Sequence, residues 1–321
     1  MESQLRVAMI GCGGIAKAHL DAMRDLDARP VVMVDIDESR AQQYAEAYGA
    51  ERYCTKIRDA LTDDVDAVII CLPHHLHMQA AIAAARSGKH VLTEKPMAIS
   101  LQEADAMIVA ADRNHVCLMV GQVLRFRGCN IRARQLIREG RIGEPRNMIR
   151  RRLSRSRESH SEWARDPARA GGWVLYGYSS HEVDMMLWLF DTHASLVYAQ
   201  ARKNNPYWND YDEVSLQMEL ANGMMATLNH SLNSAAGAWD TFIVGTGASM
   251  YITNEQILLD GEQMRVPMGP AMKLQLQEFI DAIVEGREPE ASGANVRRTM
   301  QALEAAKRSI ATGQVIRTDD V

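Results

Sequence analysis

The chain has 321 residues, enough for two domains of ordinary size, each with its own core. A hydrophobic share of 47% and a charged share of 24% suit a globular protein, and a formal net charge of -5 argues against a general nucleic-acid or membrane-surface role. No apolar run approaches a membrane span, no basic-then-apolar leader precedes Leu5, and five scattered cysteines without C-x-x-C spacing point to free thiols in a reducing cytoplasm.

Strand and helix patterns alternate through the first 124 residues. Leu5 to Ile10 is an apolar run that leads into Gly11-Cys12-Gly13-Gly14-Ile15-Ala16, and helical spacing follows at Ile15, Ala18, Ala22 and Leu26. Val31 to Val34 is a second strand ending at Asp35, after which Asp37 caps a helix to about Tyr48, with Gly49 as its stop. Arg52 to Cys54 is a short strand, followed by a small helix near Lys56 to Leu61. Ala67 to Leu72 runs without alternation, as a parallel strand covered on both faces does, and Pro73 ends it. A helix over His75–Ser87, a strand over His90–Thr93, a capping box at Ser100 to Glu103 opening another helix, and a strand over Cys117–Val120 complete a doubly wound α/β domain.

The pattern changes after Gly121. An arginine-rich helix (Asn130 to Glu139) leads to a strand-like segment at Asn147 to Arg157, and Trp173 to Phe190 contains a helix from about Ser180. Strand-length runs from Ala194 to Leu259 are separated by Asn222-Gly223 and bounded by Asp260-Gly261, which implies a mostly antiparallel sheet. Helices at about 271–285 and 294–312 close the chain. The expected organisation is a Rossmann domain over residues 1–124 and an α+β domain with an open sheet over 125–321. Methionine-rich runs (Met218, Leu220, Met224, Met225, Leu228) suggest that an exposed apolar face of this sheet joins copies into a homo-oligomer.

The glycine turn has the G-x-G-x-x-A form. Gly11 permits the turn, Gly13 lets a pyrophosphate approach the helix N-terminus, and Ala16 allows close helix–strand packing. Asp35 lies 24 positions after Gly11, near where an acid takes the ribose hydroxyls; its charge repels a 2′-phosphate, so NAD is favoured over NADP. Gly14, Ile15, Ile36 and Arg40 complete the expected cofactor contacts at this end. Ligands bind beyond the carboxyl ends of parallel strands, which adds Cys71, Leu72, Pro73, His77, Glu94 and Lys95. His74, His75 and His77 fall within four positions, but His74 and His75 would face different directions and no acid or cysteine joins them nearby, so no metal is expected. Lys95, held before Pro96, is placed to polarise a substrate oxygen, or else to pair with Glu94 at the surface. Arginines 146, 150, 151, 152, 155 and 157 form the densest basic stretch: alternate ones on a strand could meet a carboxylate or phosphate, or form ordinary ion pairs. Trp163 and Trp173 could stack on a sugar ring or pin the intervening loop.

The glycine turn, Pro73-x-x-x-His77, Gly88-Lys89-His90-Val91-Leu92 and Glu94-Lys95-Pro96 together resemble the Gfo/Idh/MocA oxidoreductase family. The likeness continues through Arg125-Phe126, Glu139 to Pro145, Gly171-Gly172, His181-x-x-Asp184 and Gly245-Thr246-x-Ala248. The resemblance implies NAD(P)-dependent hydride transfer at a hydroxyl carbon of a sugar, sugar acid or cyclitol, with Lys95 the active-site lysine and His181 the acid/base. It also draws Arg125 and Asp184 into the substrate site. The family commonly has Asp four residues before that histidine, where this chain has Gly177. Tyr176 and Tyr178 flank the gap and could contact substrate. The departure keeps open a redox-neutral, NAD-assisted cleavage of a glycoside, and a non-catalytic nucleotide sensor.

Overall fold

The computed structural model describes residues 4–156, 161–266 and 269–321, which form two compact units. Arg157, at the end of the basic stretch, lies outside the described residues. The first unit holds six parallel strands: β1 (Leu5–Ile10), β2 (Ala28–Val34), β3 (Arg52–Cys54), β4 (Ala67–Ile70), β5 (His90–Thr93) and β6 (Leu118–Val120). Their order is β3-β2-β1-β4-β5-β6, so the chain winds outward from β1 in both directions. Helices α1 (Gly14–Met23), α2 (Glu38–Tyr48), α3 (His77–Arg86) and α4 (Leu101–Arg113) connect the strands. Every residue of β4 is buried, as its unbroken apolar run requires. Asp37 caps α2 by accepting from the backbone N–H of Arg40, and Gly49 ends it in the left-handed region at φ 69°.

The second unit contains α5 (Gly128–Arg138), β7 (Pro145–Arg155), a short α6 (Pro167–Ala170), a π-helical stretch at Trp173–Tyr178, and α7 (Ser179–Leu189). Strands β8 (Ala194–Arg202), β9 (Glu213–Leu220), β10 (Met225–Ser231), β11 (Asn233–Gly245), β12 (Ser249–Ile252), β13 (Ile257–Leu259) and β14 (Glu262–Met264) follow. After helices α8 (Ala271–Glu285) and α9 (Gly293–Thr312), β15 (Ile316–Arg317) completes a nine-stranded sheet ordered β14-β13-β12-β11-β7-β10-β9-β8-β15. All its pairings are antiparallel except that between β7 and β10. The Asp260-Gly261 turn between β13 and β14 has positive φ at both residues, as a tight hairpin needs.

Two features differ from the sequence expectation. The chain does not divide once near residue 124: residues 270–296 return to the first unit, where α8 packs on α1 and Ser292 bridges to Met119 at the edge of β6. Gly293 makes that approach possible, because a Cβ there would lie 2.7 Å from the Leu118 side chain. The amphipathic pattern of α8 announces a partner without naming it. The methionine-rich runs also face the other way. Met218, Leu220, Met224 and Leu228 are buried, and of the five residues only Met225, 60% exposed, reaches the open side. Strand alternation is the reason: Met218 and Leu220 share one face of β9, and register puts Leu228 of β10 on that same inner face.

Candidate active site

The nucleotide end of the first unit is built from backbone and one carboxylate. Gly11 has φ 94°, and a Cβ there would sit 2.5 Å from the Cys71 carbonyl oxygen, so the turn between β1 and α1 tolerates only glycine. A Cβ on Gly13 or Gly14 would meet nothing within 4 Å, and neither glycine has a positive φ. The protein's own packing therefore does not require these two glycines, and the open space beside them leaves room for a pyrophosphate over the α1 N-terminus. The first turn of α1 carries no acid to compete for that position. Asp35 accepts from the backbone N–H groups of Cys12 (2.9 Å) and Asp37 (3.0 Å), which fix its carboxylate at the end of β2, with Arg40 at 3.5 Å. Ile36 beside it is 93% exposed, an apolar side chain turned away from the core. These groups fit a dinucleotide.

At the carboxyl ends of β4 and β5, His77 spans two loops. Its Nδ1 is 2.9 Å from the Pro96 carbonyl oxygen and its Nε2 2.9 Å from that of Leu72. Burial holds the ring below its usual pKa, although both carbonyls favour the second proton. Half-buried Lys95 follows Glu94, whose Oε2 accepts from the Lys95 backbone N–H (3.1 Å) while its Oε1 meets Nε2 of buried His19 (2.8 Å). Burial alone would raise the Glu94 pKa, but the His19 bond and the charge of Lys95 bring it below the usual value. Gly121 leaves room for this carboxylate; a Cβ there would crowd it at 3.1 Å. His19 was not foreseen. The signal was a histidine on the buried stripe of α1 beside Ala16, Leu20 and Met23.

The His74 and His77 rings meet edge-on at 5.7 Å, and among the described residues no group of three or more histidines, cysteines or acids could hold a metal ion. Cys71 is half-buried, and desolvation of its thiol pushes the pKa well up. It shapes the turn through its carbonyl.

In the second unit, His181 lies half-buried in the first turn of α7, directly after the π-helical stretch. π-Helical turns concentrate at functional sites. The aromatic groups there divide into two sets. Tyr178 stacks edge-on against Trp173 (5.4 Å) and His230 (5.6 Å), and Trp163 edge-on against Trp173 (5.5 Å), which makes a half-buried aromatic wall. Buried His230 also shares a 2.9 Å hydrogen bond with Ser179, fixing the start of α7. Tyr176, by contrast, is fully buried and donates to Glu304 (2.9 Å), so it does not offer its phenol to a substrate.

Arg125 and Asp184, drawn into the substrate site by resemblance, bind each other instead. Two 2.7 Å hydrogen bonds join their fully buried side chains, and Asp184 also accepts from Thr299 (3.0 Å). The pair ties the 3₁₀ turn at Val123–Phe126 to α7. Ion pairing also absorbs much of the basic stretch: Arg146 with Glu144, Arg150 with Glu182, and Arg151 with Asp240.

Residues 5–122 match the model of the oxidoreductase family with an NAD-binding Rossmann fold, and residues 131–251 match the Gfo/Idh/MocA C-terminal domain. A 4-carboxy-2-hydroxymuconate-6-semialdehyde dehydrogenase of Sphingobium sp. is 30% identical over 305 residues, covering 91% of this chain and 94% of its own. The chain belongs to the Gfo/Idh/MocA family of NAD(P)-dependent oxidoreductases. An inositol 2-dehydrogenase of Rhizobium meliloti is 28% identical, with 96% of this chain and 97% of that protein covered. The crystal structure of an aldose–aldose oxidoreductase from Caulobacter crescentus, complexed with glycerol, superposes with a TM-score of 0.91 at 24% identity, over 98% of this chain and 99% of the other. That likeness establishes the fold. Among the described residues no helix is long and apolar enough to cross a membrane.

Proposed function

We propose that this protein transfers hydride between a nicotinamide cofactor, NAD by preference, and a hydroxyl-bearing carbon of a sugar, sugar acid or cyclitol. The carrying observation is the buried His19–Glu94 pair, which holds the backbone of Lys95 at the end of β5. The names of the relatives support the class: one acts on inositol, the other on a carboxylated semialdehyde. When bound, the nicotinamide supplies the hydride acceptor. Backbone N–H groups of Gly13, Gly14 and Ile15 would take the pyrophosphate, Asp35 the ribose hydroxyls, Ile36 and Arg40 the adenine, and Cys71 to Pro73, His77 and Glu94 would border the nicotinamide end. His181 accepts the hydroxyl proton while the Lys95 ammonium stabilises the developing alkoxide. Trp163 and Tyr178 present ring faces to the substrate. The reading includes a homo-oligomer formed through the second unit's sheet, and a reducing cytoplasm suited to five free cysteines.

The test is direct. Purified protein is given NAD and a panel of sugars, sugar acids and cyclitols, and reduced nicotinamide is followed by absorbance. One substrate should give a signal that falls about 100-fold or more in Lys95→Ala and His181→Ala. A second reading, redox-neutral NAD-assisted cleavage of a glycoside, rests on Gly177, which is buried where the family commonly carries Asp. It predicts product without net NADH, from protein purified with NAD bound. No turnover and no bound nucleotide would overturn both.

A further inference from the structure

We propose that Arg127 and Arg152, gathered around Trp239, form a recognition subsite for a small oxyanion with two negative charges, the charged end of the substrate. The inference rests on the dehydrogenase reading in one respect: it takes the bound acid to be part of the molecule that His181 acts on.

Strand alternation puts Arg150 and Arg152 on the inner face of β7, where register sets Thr241 and Trp239 of β11 opposite them. The residue after His181 on α7, Glu182, is buried against the same patch. Arg150 satisfies it: Nε and Nη2 of Arg150 both lie 2.6 Å from Glu182 Oε2, and Nη1 donates to Thr241 Oγ1 at 2.8 Å. Arg152 gets much less. Its nearest acid atom, Glu182 Oε1, is 3.8 Å from its Nε, beyond hydrogen-bond distance, and its guanidinium lies 4.1 Å from the Trp239 ring centroid. Arg127 approaches the same ring at 4.2 Å and donates to the neutral side chain of Asn254.

Among the described residues, three guanidiniums thus share one carboxylate. The other acid on β11, Asp240, faces the opposite side of the sheet and is matched by Arg151. Arg127 and Arg152, each about 4 Å from one centroid, stand at most about 8 Å apart with an apolar indole as their common neighbour. Repulsion at that range in a half-buried site opposes folding. The Arg127 pKa is lowered first by burial, with Arg150 and Arg152 outweighing part of what Glu182 restores. One arginine would suffice to neutralise Glu182. The remaining two carry planar donor forks with spare N–H groups, suited to bidentate oxyanions. Two uncompensated charges call for a dicarboxylate or a phosphate monoester.

The experiment is calorimetric and needs no turnover. Malonate and inorganic phosphate are each titrated into wild-type protein and into Arg127→Gln and Arg152→Gln, with chloride at matched ionic strength as the screening control. Saturable binding is expected in wild type, weakened about tenfold or more by either substitution. Malonate binding alone identifies a dicarboxylate; phosphate binding alone identifies a phosphorylated ligand. Should Arg152→Gln not fold, Arg152→Lys keeps the charge but loses the fork and should bind more weakly than wild type. No saturation above the chloride control, or equal affinity in both Gln variants and wild type, overturns the subsite. The two readings fail separately. Oxidation of a neutral sugar with KM unchanged in Arg152→Gln retains the dehydrogenase and removes the subsite. Malonate binding that depends on Arg152, in a protein that oxidises nothing, retains the subsite and removes the dehydrogenase.

Discussion

At the scale of single residues, the proposed preference for NAD over NADP rests on Asp35. Its carboxylate is oriented by two backbone N–H groups, so it cannot readily turn away from a 2′-phosphate, and like-charge juxtaposition costs several kcal/mol. Asp35→Asn keeps the shape and removes the charge. The ratio of kcat/KM for NADP to that for NAD is expected to rise tenfold or more; an unchanged ratio would shift the discrimination elsewhere. His77 gives a second residue-scale prediction. Burial lowers its pKa, and that of His90, from 6.5. Below pH 6.5 the unfolded chain therefore takes up protons that the folded chain resists. Stability is complete above that pH and is lost as pH falls. Melting temperature measured from pH 7 to pH 5 should decline, and less steeply in His77→Gln. The Gly11 turn and the place of Asp35 at the end of β2 were readable from the chain because both follow from backbone geometry at strand ends. His19 and Glu182 were not, since spacing along a helix says that a polar residue is buried but not which partner, many residues away, satisfies it.

At the scale of elements, α7 is anchored in part by the buried Arg125–Asp184 ion pair. Asp184 receives two hydrogen bonds from Arg125 and a third from Thr299, inside a helix whose other residues are almost all buried. Removing one partner leaves an uncompensated charge, which costs about 3–5 kcal/mol. Arg125→Met should lower the urea midpoint accordingly, and the double change Arg125→Met with Asp184→Leu should recover much of the loss. A midpoint that the double change leaves as low as the single one would contradict this account. Element existence was legible where patterns are strong. The unbroken apolar runs of the parallel strands, the Asp37 and Gly49 caps and the Asp260-Gly261 hairpin all appear where they were expected. The π-helical stretch before α7 was not legible. Its residues, Trp173–Tyr178, have no periodicity of their own, and it is held in part by backbone bonds from Tyr176 and Gly177 back to the Gly172 carbonyl.

At the scale of the whole molecule, the nine-stranded sheet leaves one face open, and register shows what lies on it. Tyr198, Gln217, Thr227, Ile149, Phe242, Tyr251 and Leu258 stand in one row across seven strands. Ile149 and Phe242 at its centre are 42% and 40% exposed, with Met225 beyond them. On the same face Arg151 pairs with Asp240, whose carboxylate also accepts from Tyr251. A surface that carries an apolar row beside a matched pair of opposite charges can meet a second copy of itself with both features satisfied. The sequence pattern pointed to this sheet but to the wrong side of it, because alternation separates two faces without saying which one helices cover. A second copy on this face predicts a dimer or higher assembly at micromolar concentration by light scattering. Phe242→Glu should dissociate it, because the introduced charge would be buried against Ile149 of β7 and the partner's apolar row. Met218→Ala, on the inner face, should lower stability without changing the assembly state. A monomeric wild type, or a Phe242→Glu protein that keeps the wild-type mass, would leave the open face without a partner of its own kind.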